Sequence, residues 1–333
     1  MRINPSWRLT WVGQDHLRVG SGPGAVDVRH IGPELREWLG RLAWSGAGVS
    51  ESDLASAPPG AKEAIEALAA ALVEEETPSR ALAGVPGLAG DRLRGDALAW
   101  ASAYGQGVGA ALSRRHRAHV WISGLDRCGL NFALALAAAG VGRLSARDRG
   151  KLEPGDLGGG PLRLTELGLP RPAALARHLG RLYPHTQLLA PIALHDAVRG
   201  VDLAVLVCRD GLAARDAGRL VAAGVATLPI VFHESGFVIG PLHLPDAPGC
   251  PRCRWEAWPL VDQGQENPDA AAPAPPETTS ALLAAALAAQ AVVMAIDDIN
   301  LPSLTAGRYV GTLGAAALHF EPLPNGCQHR LAA

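Results

Sequence analysis

Between residues 5 and 30, apolar positions alternate with polar ones in three runs, "WRLTWVG", "HLRVG" and "AVDVRHI". A period of two puts every second side chain on one face, so the pattern predicts three short strands. "GSGPG", Gly20 to Gly24, supplies a turn between two of them. The period then changes. In "GPELREWLGRLAW", Leu35, Trp38, Leu39 and Leu42 recur at helical spacing, and Pro33 suits a first helical turn. "SESDLASA" predicts a short helix with Ser50 or Ser52 as its cap. "GAKEAIEALAAALVEEE", Gly60 to Glu76, predicts a third helix. These elements make a winged-helix-like module over residues 1–80. Residues 81–117 read as a linker and helical connector.

An α/β pattern begins at Ala118 and is expected to fill residues 118–333. Strand "HVWIS" leads to helix "LNFALALAAAG" and strand "GRLSARD". Helix "PAALARHLGRLYP" precedes strand "TQLLAPI". "VDLAVLVCRD" is almost wholly apolar, as in a parallel strand buried on both faces. Helix "AARDAGRLVAAG" precedes one long strand, "TLPIVFHESGFVIGPL". The alternation predicts an α/β fold with a doubly wound, Rossmann-like sheet.

Composition narrows the function classes. The chain has 333 residues and a formal net charge of −2, which argues against a non-specific nucleic-acid partner. The N-terminal run has no apolar signal core. The most apolar stretch, Ala281 to Ile296, falls short of the ~20 residues that span a bilayer, so a buried helix is expected and no membrane partner. Five cysteines, an odd number, favour reduced thiols or a metal over a disulfide framework, and the cytoplasm as compartment.

Two constellations carry chemistry. In "GLDRCG", Gly124 and Gly129 keep the outer spacing of a phosphate-binding turn, and Asp148 ends the second strand where an acidic residue commonly binds ribose. Asp126 and Arg127 replace the middle glycines. A carboxylate ~4 Å from a phosphate charge repels it by about 1 kcal/mol in water and about 4 at intermediate dielectric. The residues leave open a turn kept for the fold, an altered ATP site, or an NAD(P) site. The second constellation is C-x-x-C, Cys250 and Cys253, a zinc half-site that Cys327 and His329 would complete. A redox pair or inert thiols are the alternatives. Pro248 and Gly249 argue against a redox motif, which should open a helix after a strand. Cys128 and Cys208 read as buried thiols. The histidines show no catalytic spacing, although His233 and Glu234 end a strand where they could line a pocket.

The stretch "GLDRCGLNFALALAAAGVGRLSARDRGKLEPGDLGGGPL" resembles the adenylating proteins of the ThiF, MoeB and ubiquitin-activating superfamily, and the resemblance extends over residues 118–330. It implies a nucleotide site with Asp148 and a magnesium-associated Asp210, and it places Arg171 where the family has an ATP-binding lysine. It also shows the departures. The Asn-Leu-x-Arg-Gln motif is "DLGGG", Asp156 to Gly160, so the catalytic arginine is missing. The N-terminal module resembles a RiPP recognition element. Together the two halves resemble the Ocin-ThiF-like, or F-protein, group. That resemblance implies a non-catalytic protein with a structural zinc and no use of ATP. It would bind the leader of a ribosomally made precursor peptide and present it to a YcaO-type cyclodehydratase for azoline formation. The leader would add as a strand along Ala25, Val26, Asp27, Val28 and Arg29, against Lys62, Ile65 and Ala69 of the third helix. Homodimers are common in the superfamily. The competing implication is an ATP-dependent enzyme that adenylates a peptide or carrier C-terminus.

Overall fold

A computed structural model describes residues 2–44, 50–73, 84–104, 111–190, 200–247, 250–261 and 275–323. The chain divides into two compact units, Met1–Ser113 and Arg114–Ala333.

The first unit contains β1 (Arg2–Ile3), β2 (Leu9–Val12), β3 (His16–Val19), β4 (Val26–Val28), α1 (Pro33–Trp44), α2 (Glu51–Ala55), α3 (Ala61–Ala67), β5 (Leu72–Val73) and α4 (Gly87–Tyr104). Antiparallel β2, β3 and β4 form one sheet in that order, so β4 is an edge. Alternation sets its inner face: Leu17, Val19 and Val28 are buried and join Trp38, Leu39, Leu42 and Leu68 in one core. Ser50 caps α2 through a capping box with Asp53. The expected third helix stops early. After Ala67 the chain makes a 3-10 turn, Ala69–Ala71, and Leu72–Val73 then pair antiparallel with Arg2–Ile3. Asn4 N donates to Ala71 O at 2.8 Å, so pairing with the N-terminal strand overrides the helical propensity of the alanine run. The remaining expected helical residues, 74–76, lie outside the described residues. Buried Asn4 also ties α4 into the unit, donating to Leu98 O (2.6 Å) and Ser102 Oγ (2.7 Å).

α5 (Ala111–Arg117) precedes the second unit's β6 (His119–Ser123), α6 (Arg127–Ala138), β7 (Arg143–Arg147), α7 (Arg171–Leu182), β8 (Gln187–Leu188), β9 (Leu203–Arg209), β10 (Leu212–Ala213), α8 (Ala214–Ala222), β11 (Ala226–His233), β12 (Gly236–Ile239), α9 (Pro251–Glu256), β13 (Leu260–Val261), α10 (Thr278–Asp297), β14 (Gly307–Thr312) and β15 (Ala317–Pro322). Eight strands form one sheet in the order β15-β14-β12-β11-β9-β6-β7-β8. From β8 to β11 all pairs are parallel; from β11 to β15 all are antiparallel. The sheet is therefore mixed α/β with a parallel core, as in Rossmann-like folds. The long strand expected at residues 227–242 is a hairpin instead. Glu234 and Ser235 turn it, and Gly236 (φ +158°) lies so close to Gly311 O that a Cβ would stand 1.9 Å away. α10 is a core helix: Ala281, Ala284, Ala288 and Val292 are buried, and its last residue, fully buried Asp297, accepts from Arg115 Nε at 2.6 Å.

Candidate functional site: a capped glycine turn and a sheet edge

The turn between β6 and α6 shows why its outer glycines are needed. Gly124 has φ +94°, and a Cβ there would stand 2.4 Å from Val207 O on β9. A Cβ on Gly129 would stand 2.0 Å from Gly124 O. Both glycines serve the packing of turn, helix and sheet, with or without a ligand.

The middle of the turn is closed from within. Asp126 is the N-cap of α6; its Oδ1 accepts from Cys128 N (2.9 Å) and Gly129 N (3.1 Å). These are amides that a helix N-terminus offers to a phosphate. Burial pushes the Asp126 carboxyl above its ordinary value, and the two amides pull it back. Burial raises the Cys128 thiol well above its ordinary value and pushes that of half-buried Cys208 up to about 12, with Asp126 adding to both. Arg127 donates from Nη1 to Pro276 O at 2.7 Å. Its shaft passes Gly158, where a Cβ would meet Nε at 3.0 Å.

Asp148 lies at the end of β7, as expected, and binds the turn itself. Oδ2 accepts from Leu125 N and Oδ1 from Gly150 N, both at 2.6 Å. Arg171, at the start of α7, faces Asp148 at 3.6 Å and Asp156 at 2.9 Å. Burial works against its charge, but the bonds to Asp156 and the charges of Asp148 and Asp126 outweigh it and raise its pKa. Asp156 was visible in the sequence only as a departure from a motif; the structure makes it the hub that holds Arg171. The local signal was "EPGD", a capping box in which Glu153 N donates to Asp156 Oδ2 at 2.9 Å. Three residues later, Gly159 (φ +76°) packs under α10, and a Cβ would stand 2.6 Å from either methyl of Leu282. Asp210 follows β9 in a left-handed conformation (φ +61°), exposed, and donates its amide to Phe232 O at 2.7 Å.

Gly124, Asp126, Gly129, Asp148 and Arg171 are thus drawn into one network. Sequence reasoning missed a second buried pair, His178 with Glu166 at 2.7 Å, since neither residue has a motif around it. His233 Nδ1 meets Ser235 Oγ at 3.1 Å within the hairpin turn.

In the first unit the candidate peptide edge is exposed as β4. Val26 and Val28 pack on the core, while Asp27 and Arg29 face outward. His16 donates to Asp27 at 2.7 Å and holds its carboxyl below the ordinary value. α3 packs against β4. Lys62 is exposed and Ile65 half-buried; both line a cavity of about 580 Å³ with Leu54 and Ala57. Ala69 is exposed, in the 3-10 turn rather than on the helix.

Of the expected zinc ligands, Cys327 and His329 lie outside the described residues. Cys250 immediately precedes α9, which contains Cys253. The motif does open a helix, although the strand before it ends at Ile239 and Pro248 and Gly249 lie outside the described residues. Among the described residues no cluster of three or more His, Cys, Asp or Glu side chains could hold a metal.

No family model matches the chain, and no curated protein matches it. Solved structures do. PaaA superposes with a TM-score of 0.73 at 16% identity, covering 96% of this chain and 98% of that one. MccB of E. coli, solved with MccA-N7isoASN, gives 0.69 at 17% identity, covering 98% and 97%. MccB solved with ATP gives 0.69 at 17%, covering 97% and 96%. The microcin C7 biosynthetic enzyme MccB has also been solved in complex with N-formylated MccA. At these identities the chain shares their fold.

Proposed function

We propose that the chain is a peptide-binding protein of ribosomal peptide modification, built on a ThiF-like fold whose nucleotide turn is occupied by its own side chains. One observation carries the reading: the Asp126 carboxylate sits on the Cys128 and Gly129 amides. A phosphate would have to displace that carboxylate and then lie beside it, at a cost of about 4 kcal/mol at intermediate dielectric. Two features support it. Leu282 fills the space of a side chain at position 159, and Arg171 is already held by Asp156. Phosphoryl and adenylyl transfer depend on cations aimed at developing charge, and these are withdrawn.

The precursor leader would add to β4 along Ala25–Arg29, with main-chain bonds giving affinity and α3 giving register. The fold shared with MccB, which has been solved with MccA, is consistent with peptide binding. The proposed partner is a YcaO-type cyclodehydratase, and the proposed metal a structural zinc on Cys250, Cys253, Cys327 and His329. Calorimetric titration with Mg-ATP, then with the leader peptide encoded beside the gene, tests the reading. Saturable leader binding, lost in Val28→Pro, and no heat from ATP are expected. Unchanged affinity in Val28→Pro would sink the strand-addition site.

A second reading keeps the chemistry: an ATP-dependent adenylating enzyme using Asp148, Arg171 and Asp210. Asp148 favours it, because each carboxylate oxygen retains acceptor capacity beyond its one amide. Peptide-dependent pyrophosphate exchange would put this reading first.

A further inference from the structure

Beside the N-terminal end of β4 lies a cavity of about 470 Å³. The Gly20–Gly24 turn forms one side, Ala99 and Ser102 of α4 another, and Trp7 and Arg8 a third. The parts are fixed. Gly20 N donates to Arg8 O at 2.7 Å, and Trp7 Nε1 donates to Ser102 Oγ at 2.6 Å. The turn leaves room: a Cβ on Gly22 or Gly24 would meet nothing within 4 Å. Ala25, also on the cavity wall, leads directly into the open edge. Arg8 is the one charged residue on the cavity wall; it is exposed and forms no ion pair among the described residues.

We infer that this cavity receives an acidic side chain of the bound peptide, placed just beyond the segment that pairs with β4. The inference rests on the strand-addition reading. The chemistry selects the class. A carboxylate can accept two parallel N–H bonds from Arg8, while its methylenes lie on the Trp7 ring. An apolar side chain would leave the Arg8 guanidinium without a partner, and a basic one would be repelled.

The test is selection of a displayed library of random peptides on the full chain, followed by fluorescence-polarisation titration of the peptides recovered. Recovered peptides should carry Asp or Glu at one fixed position. Arg8→Glu should weaken them about tenfold, the scale of a lost charge pair at a partly exposed contact, and selection on that variant should place Lys or Arg there. Gly24→Leu keeps Arg8 and fills the cavity; it should weaken acidic peptides similarly and leave their alanine-substituted versions unchanged. Peptides that are lost with Val28→Pro yet bind Arg8→Glu and Gly24→Leu normally would overturn the inference and leave the strand-addition reading standing. Recovery of no peptide, or of peptides indifferent to all three substitutions, would overturn both.

Discussion

Arg171 and Asp156 are joined twice, Nε to Oδ2 at 2.9 Å and Nη2 to Oδ1 at 3.3 Å. Asp156 is 1% exposed, so removing either partner leaves the other without its main contact. Asp156→Ala also removes the acceptor for Glu153 N. We expect a loss of about 2–4 kcal/mol in urea unfolding, with Asp156→Asn losing less because it can still cap. A loss under about 0.5 kcal/mol would reduce the pair to a surface contact.

Gly159 reports on how tightly α10 closes over the segment after Asp156. Gly159→Ala places a Cβ against Leu282 and forces φ +76° on a residue with a side chain. The expected cost is about 1–3 kcal/mol. In a double-mutant cycle, Leu282→Ala should relieve the contact and not the backbone strain, giving a coupling of about 0.5–1 kcal/mol. Strict additivity would show that Leu282 moves aside freely and does not close the site.

Much of the fold was legible because periodicity reports which face is buried. β2, β3 and β4, α1 and the parallel strands β6, β7 and β9 fall where the pattern put them. The failures share a cause. At Leu72 and at the β11–β12 turn, a partner distant in sequence decides the local conformation: the N-terminal strand in one case, Gly311 in the other. The candidate site was legible in its residue types and not in its bonds. The sequence shows Asp126 between Gly124 and Gly129; that its carboxylate sits on the helix amides depends on the three-dimensional turn. Asp156 has no visible role until Arg171 arrives from a different element.

Asp126→Gly separates electrostatic closure from steric closure. Glycine caps nearly as well as aspartate, so a stability change of only a few tenths of a kcal/mol is expected. The freed amides of Cys128 and Gly129 should then bind tripolyphosphate, read as a rise in melting temperature that the parent chain does not show. No rise would mean that Arg127 and the segment around Gly158 block the turn by themselves.

Metal analysis addresses the C-x-x-C motif. One equivalent of zinc per chain is expected, lost in Cys250→Ser and Cys253→Ser and equally in Cys327→Ser. The last variant matters most, because a two-thiol redox pair would not need it. Zinc retained in Cys327→Ser, or a thiol titre that falls on mild oxidation of Cys250 and Cys253 alone, would favour the redox alternative.

Glu277 gives a pH signature for the entry to α10. Its carboxylate accepts from Thr279 N at 2.9 Å and Ser280 N at 2.8 Å as the helix N-cap. Those two amides, with the Thr279 hydroxyl, lower its pKa from 4.5 to about 2. The folded value lies below the unfolded one, so the contribution is complete above pH 4.5 and is lost as pH falls towards about 2. Glu277→Gln cannot carry the charge. The stability difference between parent and variant should be constant near neutrality and shrink across that acid window. Other carboxylates with lowered pKa, such as Asp53 and Glu321, titrate in both proteins and cancel in the difference. A difference that does not change with pH would show that geometry, not the carboxylate charge, makes the cap.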